Sequence, residues 1–335
     1  MADEELFREL YERAPDAYYI VDTLGNFMAG NRAAEEMIGR SKEELVGKNF
    51  ALSGLLPPAQ VPRVMAFFAR VLAGGETGPE EFDLVRKDGS RISVEIRTFG
   101  VVIEGKKLAL GIARDITARK AEEERARART ELNLLLNRII LEGSGSQNVR
   151  EFLKKALELI VGGLGFSGGG VYLVDKEGGT ARVVHDAGLN KAFVDEVRAV
   201  KTDVPPYDAL FVRKEPLIAE DYSSMQKERA ERFGIGSIIS FPVVHKNETV
   251  AAVNLASSAP RRFSDEEKEF IRSAGAQMGT VVSKLKAEEA LKERFDEIEK
   301  MNKFMIGREL DMVSLKNEVN GLLKELGRAP KYRVE

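Results

Sequence analysis

Between Leu108 and Ile139 the spacing of apolar residues changes from every second position to a helical repeat. Leu108, Leu110 and Ile112 alternate with smaller residues, which predicts a strand turning those three side chains to a core. Asp115-Ile116-Thr117 follows, and then the run ARKAEEERARARTELNLLLNRII. In that run Ala118, Arg125, Leu132 and Ile139 fall seven apart, with Ala121, Ala128 and Leu135 three residues after the first three. This heptad is weak at its start and stronger at its end, and predicts a helix that pairs with a partner over 118–139. A sheet whose last strand runs into such a helix can pass strain from its core to another chain, which is how a sensor, not an enzyme, is built.

The segments upstream fit the same plan. Asp16-Ala17-Tyr18-Tyr19-Ile20-Val21-Asp22 predicts a first strand, Thr23-Leu24-Gly25-Asn26 its turn, and Phe27-Met28 the start of a second strand. A short helix is expected over 31–39, and Ser41-Lys42-Glu43-Glu44 is a capping box for the next helical turn. Lys87-Asp88-Gly89-Ser90 supplies the Asp-Gly pair that a tight hairpin takes at positive φ, and the strand after it, 91–97, alternates polar and apolar side chains. This order, with Arg114-Asp115-Ile116-Thr117 at its exit, resembles a PAS domain over about residues 6–124. The resemblance implies a pocket, and the apolar strand positions and a helix near 61–72 would wall it with Tyr19, Met28, Phe67, Phe68, Phe82, Ile96 and Ile112. Arg97 and Arg86 are candidates to pair an anionic ligand there; the alternative is a closed core made of the same apolar residues. It also implies a signal relay at Asp115 and Thr117. Asp115 would accept backbone N–H groups or pair with Arg119, and the Thr117 hydroxyl would cap the following helix.

A second module is expected after the glycine- and serine-containing linker 141–146. Asn148, with Glu151 three residues on, predicts a helix start, and strands are predicted at 169–175, 181–186, 237–244 and 249–256. A helical or irregular middle spans about 189–233, broken at Pro205-Pro206, and Ser264-Asp265-Glu266-Glu267 caps a long helix. Gly236-Ser237-Ile238-Ile239-Ser240-Phe241-Pro242-Val243 and Phe263-Ser264-Asp265-Glu266 resemble a GAF domain, covering about residues 145–287. The resemblance implies a second ligand pocket, with Tyr172, Phe211, Tyr222, Ser240 and Asn254 as its candidate residues.

The tail carries the cleanest periodicity. Leu291, Ile298, Met305, Met312, Val319 and Leu326 recur every seven residues, with Arg294, Met301, Arg308, Leu315 and Leu322 as companions. That repeat predicts a coiled coil, because the stripe of a single surface helix drifts at 3.6 residues per turn. Ile298 and Val319 at one seam position with Leu315 and Leu322 at the other favour a parallel pair, and Arg294 and Arg308 weaken the seam locally. The alternative is a helix that packs back onto its own domain. The expected fold class is therefore α+β, with two antiparallel-sheet sensor domains joined and followed by long coiled-coil helices. Its divisions fall at 1–117, 118–147 (linker helix), 148–284, 285–327 (coiled coil) and 328–335.

A chain of 335 residues, 43% hydrophobic, can bury two ordinary cores, and a formal charge of −3 gives no bulk attraction to nucleic acid or membrane. No uncharged apolar run could span a bilayer, and the acidic start MADEELFREL is not that of a secretory signal, so a cytoplasmic location is expected. The absence of cysteine removes disulfides, thiolate nucleophiles, thioether-linked bilins and LOV-type flavin adducts. Residues 1–124 contain no histidine either, which leaves a haem in the first module without its usual ligands.

Several chemical motifs fail on context. Gly163-Leu164-Gly165-Phe166-Ser167-Gly168 matches GxGxxG but is expected between a helix and a strand, the reverse of a dinucleotide site. His185 and His245 lack both a metal-ligand spacing and a nucleophile in a strained turn, so no catalytic or metal residue is assigned. Asn254 is followed by Leu255 and Phe263 lies two residues before Asp265, a departure from the signature of cyclic-nucleotide-binding GAF domains. What remains for the pockets is a small organic ligand, a non-covalent flavin, or none. The function expected is a non-catalytic sensor or adaptor that forms a parallel homodimer and signals to a histidine kinase, response regulator or other output protein. The alternatives are the sensory part of a histidine kinase lacking its catalytic half, and a structural dimer scaffold with filled pockets.

Overall fold

The computed structural model describes residues 2–75, 77–175 and 177–333. They divide into two units, the first reaching Arg127 and the second beginning at Ala128.

The first unit contains α1 (Ala2–Glu12), β1 (Ala17–Asp22), β2 (Phe27–Gly30), α2 (Arg32–Ile38), α3 (Lys42–Leu45), α4 (Val61–Leu72), β3 (Glu80–Val85), β4 (Arg91–Ile103), β5 (Lys106–Asp115) and the first turns of α5 (Thr117–Gly145). Its five strands form an antiparallel sheet in the order β2-β1-β5-β4-β3. Asn31 holds the entry to this sheet. It is fully buried, its Oδ1 accepts from the Tyr18 and Ala34 amides, and its Nδ2 donates to the Tyr11 and Asp16 carbonyls. Each polar atom of the side chain therefore has a partner, which removes the cost of burying it. Ser41 and Glu44 form the capping box of α3, and Gly89 takes φ 84° in the β3–β4 turn.

One face of β5 differs from expectation. Ala109, Gly111 and Ala113 point into the core, whereas Leu108, Leu110 and Ile112 lie half-buried on the opposite face of the sheet. The period is the one predicted, and the inner face is the opposite one. The inner positions are small because larger neighbours fill the space above them: the Tyr19 ring lies over Gly111, where a Cβ would come within 2.1 Å of it.

The second unit contains the rest of α5, α6 (Val149–Leu164), β6 (Gly168–Asp175), β7 (Thr180–Ala187), α7 (Lys191–Glu196), β8 (Ala199–Lys201), β9 (Leu217–Ala219), α8 (Lys227–Phe233), β10 (Ser237–His245), β11 (Glu248–Ser257) and α9 (Asp265–Glu325). Its antiparallel sheet has the order β8-β7-β6-β11-β10-β9. On one face α5, α6 and the start of α9 close the main core, around Leu135, Ile139, Phe152, Leu157, Phe241, Val253, Ile271 and Met278. On the other face lie smaller clusters, around Tyr172 and Leu210 and around Tyr222 and Phe233. β11 is buried on both faces over most of its length, which suits its run of Val, Ala and Leu.

Two expectations for the helices are corrected here. The segment 141–146 is not a flexible linker, because α5 continues to Gly145 and the Ser146 hydroxyl donates to the Glu142 carbonyl. Gly143 is there for contact: a Cβ on it would sit 2.4 Å from Val281 Cγ1 of α9. The heptad of 118–139 strengthens at its end for the same reason. Leu135 and Ile139 are buried in the core of the second unit, with Leu132 and Leu136 packed against it, so they are not free to form a seam with another chain.

The long helix behaves differently. Phe270, Ile271, Ala274, Met278, Val282 and Leu285 of α9 are core residues, but Leu291, Ile298, Met305, Met312, Leu315 and Leu322 are each more than half exposed. Past the helix, Asn320 accepts from the Lys331 and Tyr332 amides and donates to the Tyr332 carbonyl, turning the tail back along it. Among the described residues, no helix is long and apolar enough to cross a membrane.

Candidate functional site

The first unit encloses a cavity of about 110 Å³ between α2, α3, α4 and the inner face of the sheet. Tyr19, Phe67, Phe68, Phe82 and Ile96 line it, and Phe67 and Phe82 meet edge to face at 5.5 Å. Met28, Arg97 and Ile112 do not. Met28 and Arg97 are exposed, and Ile112 belongs to the far face of β5. All three stand at strand positions of the wrong parity, since side chains alternate across a sheet. Arg86 is drawn instead to Asp115, 3.4 Å away. Burial pushes the Tyr19 phenol up to about 12, opposed by the nearby Thr98 hydroxyl. Both histidines lie in the second unit, at 185 and 245.

The exit from this sheet is tied down by hydrogen bonds. Asp115 Oδ1 accepts from the Thr117 amide at 2.8 Å. The Thr117 hydroxyl accepts from the Ser93 amide of β4 at 3.0 Å, so it binds the strand and does not cap the helix. Arg119 pairs with Glu81 of β3, not with Asp115, and Lys120 joins the same carboxylate, holding Glu81 below its ordinary pKa. Arg114 grips Asp16 with two bonds of 3.0 and 2.7 Å, which lowers the Asp16 pKa. The first turn of α5 is thus fastened to β3 and β4. Asp115→Ala should lower the stability of the first unit by about 1 kcal/mol, the usual worth of a capping side chain. Urea unfolding measures it, and an unchanged midpoint would mean that the Asp115 bonds do not hold the start of α5.

The second unit holds a larger cavity, of about 430 Å³, on the side of the sheet away from α9. Its floor is made by one face of three strands: Gly170 and Tyr172 of β6, Ile238 and Ser240 of β10, and Asn254 and Ala256 of β11. Ser240 and Asn254 stand directly opposite in the β10–β11 ladder, and Asn254 Oδ1 is buried without a hydrogen-bond partner. The Tyr172 hydroxyl donates to the Val197 carbonyl at 2.7 Å, and burial, then Tyr207, raises its pKa. Of the expected residues Tyr172, Tyr222, Ser240 and Asn254 meet here. Phe211 does not line the space; it packs beside the Tyr172 ring at 6.3 Å, one layer behind.

The roof holds what the sequence did not reveal. Arg229 of α8 reaches the cavity, pairs with Glu196 at 2.7 Å, stacks 5.7 Å from the Phe193 ring and leaves its Nε buried without a partner. Tyr207, Phe193 and Gln226 join it. All four come from the segment without clear periodicity, where the apolar residues among charged ones were the available signal. The cavity therefore offers a cationic group and aromatic faces above, and an amide and a hydroxyl below. Neither cavity has a histidine or cysteine in its lining. His185 turns to Glu158 at 3.5 Å, and no cluster of metal-binding side chains occurs among the described residues. The GxGxxG run is a helix end: Gly165 takes φ 66° after α6, and β6 follows.

Comparison with known proteins agrees with this geometry. Residues 11–121 match a family model described as the PAS fold, and residues 146–283 one described as the GAF domain. A curated relative, the oxygen sensor protein DosP of Escherichia coli (strain K12), is 32% identical over 101 residues, 29% of this chain and 12% of the relative. The chain thus spans only a small part of that protein's length. Among solved structures, the GAF domain of an Acinetobacter phosphoenolpyruvate-protein phosphotransferase is 19% identical, with TM-score 0.40 over 46% of this chain and 93% of that one. The PAS domain of an HTR-like protein from Haloarcula marismortui is 23% identical, with TM-score 0.31 over 34% and 93%. Residues 11–121 of this chain are thus a PAS domain and residues 146–283 a GAF domain, followed by a long C-terminal helix.

Proposed function

We propose that this chain is a non-catalytic cytoplasmic sensor whose GAF cavity takes a small organic ligand and whose α9 carries the result to a second copy and an output protein such as a histidine kinase or response regulator. The observation that carries the reading is the double life of α9. Its first part is a wall of the GAF core, and its remainder presents a heptad seam to solvent. β10 and β11 connect cavity to helix. Their side chains Ser240 and Asn254 floor the cavity, while Ile239, Phe241, Val253 and Leu255 form the opposite face, in the core that α9 closes. A ligand that draws these strands toward Arg229 must change the packing beneath α9, because close-packed interfaces do not deform continuously. Arg229 and the unpartnered Asn254 amide oxygen favour a ligand with an anionic or carbonyl group at one end and an N–H donor at the other.

Thermal-shift screening of the full chain against organic acids and amides, followed by hydrogen exchange with a stabilising compound, tests this. Protection is expected at 193–229 and altered exchange in α9 beyond Leu285. Protection confined to the cavity would refute the relay. Arg229→Gln should weaken binding at least tenfold, corresponding to about 1.4 kcal/mol.

A further inference from the structure

The PAS cavity selects by different chemistry from the GAF cavity. Its walls are aliphatic and aromatic, and the polar side chains among them are Tyr19, Thr98, Glu35 and Lys42. Glu35 and Lys42 belong to the α2–α3 rim, where the Glu35 carboxylate accepts from the Lys42 amide. Inside stand only two hydroxyls. Thr98 is 4% exposed, and its Oγ1 is buried without a hydrogen-bond partner. Tyr19 lies close enough for the two hydroxyls to influence each other, and it stays neutral at ordinary pH.

An ionised group held deep among the aromatic walls would lose its hydration, with the only charged side chains of the lining, Glu35 and Lys42, at the rim, which is costly. A pure hydrocarbon would fill the volume but leave the Thr98 hydroxyl with no partner beyond the neighbouring Tyr19 hydroxyl. A neutral molecule with a compact apolar body and one hydroxyl would meet both requirements. The volume of about 110 Å³ is below the roughly 150 Å³ in which benzene is held, so it limits that body to one small ring, admitted by a slight shift of the lining side chains.

We infer that the PAS cavity binds a small uncharged ligand of phenol size, with its single hydroxyl bonded to Thr98 and its ring between Phe67, Phe68 and Phe82. This names a ligand class for one of the two cavities and so rests on the sensor reading; binding and signalling are therefore measured separately. It also reverses the expectation of an anionic ligand held by Arg97, which lies outside the cavity.

The test uses the full chain and three probes of one shape: phenol, toluene and benzoate, titrated by calorimetry or methyl NMR. Phenol should bind about tenfold more tightly than toluene, and benzoate at least a hundredfold more weakly than phenol. Thr98→Val, which keeps the side-chain shape, should bring phenol and toluene to equal affinity, and this also locates the site in the PAS cavity and not in the GAF one. Ala113→Leu, which fills the space from β5, should abolish binding of both. Benzoate binding as tightly as phenol, an unchanged phenol-to-toluene ratio in a folded Thr98→Val, or no neutral ring bound at millimolar concentration would each overturn the inference. Phenol bound as expected but without effect on exchange in α5 or α9 would uphold the site and count against the relay.

Discussion

Gly279→Ala is expected to destabilise the GAF domain by about 2 kcal/mol, although alanine is the better helix former. The residue lies on α9 where the helix crosses β10, and a Cβ there would sit 2.0 Å from the Val244 carbonyl oxygen and 2.4 Å from its carbon. Both are backbone atoms, so no side chain can rotate away. The gain from removing helical glycine is at most about 1 kcal/mol. Overpacking a well-packed contact costs about 1–3 kcal/mol, and more where a backbone must move. The clash therefore wins. Gly307→Ala, farther along the same helix with nothing within 4 Å of its would-be Cβ, should have the opposite sign and stabilise by up to about 1 kcal/mol. Urea unfolding of the two variants gives the comparison. Equal shifts would mean that α9 does not seat on β10 at Gly279. The result also bears on signalling, since this crossing is where a change in β10 reaches the helix.

Much of this architecture was legible because its signals are local. The capping boxes at Ser41 and Ser264 form in the structure as the spacing predicts. The Asp88-Gly89 turn, with Gly89 at φ 84°, sits where the Asp-Gly pair placed it. What the sequence could not settle was which face of a strand is inside. Leu108, Leu110 and Ile112 alternate with Ala109, Gly111 and Ala113, and hydrophobicity alone assigns the larger set to the core. The outcome depends on Tyr19 and the α4 phenylalanines, which come from elsewhere in the chain and already fill the space above the small residues.

The same limit applies to the second domain. The edge strands β8 and β9 have three residues each, too short for a period to show. Arg229 sits in the charged stretch of α8, and its role depends on that helix folding over the sheet. Gly143 looked like a linker residue because glycine reads as flexibility in sequence, whereas here it permits contact with Val281. The heptad at 118–139 was a real repeat with a different partner: its last apolar positions meet the GAF core of the same chain. A seven-residue period states that a helix has a buried stripe. It does not state what covers the stripe.

That distinction sets the second large effect, in the tail. Leu315→Lys combined with Leu322→Lys should convert a self-associated protein to monomer, as measured by light scattering across a concentration series. Both leucines are more than half exposed, as are Leu291, Ile298, Met301, Met305 and Met312 on the same seam, whereas Leu135 and Ile139 are buried in the GAF core. Burying a large apolar side chain contributes about 1.5–3 kcal/mol relative to leaving it exposed. In a symmetric pair each substitution acts twice, so four leucines are lost and four ammonium groups are brought together. That repulsion alone opposes the pair at low salt, and 1 M salt should relieve it only in part, since screening leaves the missing apolar contact unrepaired. Leu291→Lys should weaken association less, because Arg294 already interrupts that end of the seam. The GAF core should remain folded in both variants, because its last buried α9 residue is Leu285, before the substituted positions. Monomer formation with an unchanged GAF unfolding midpoint would place the dimer contact in the tail. A dimer that survives the double substitution would move it to another surface and would break the proposed route from cavity to partner.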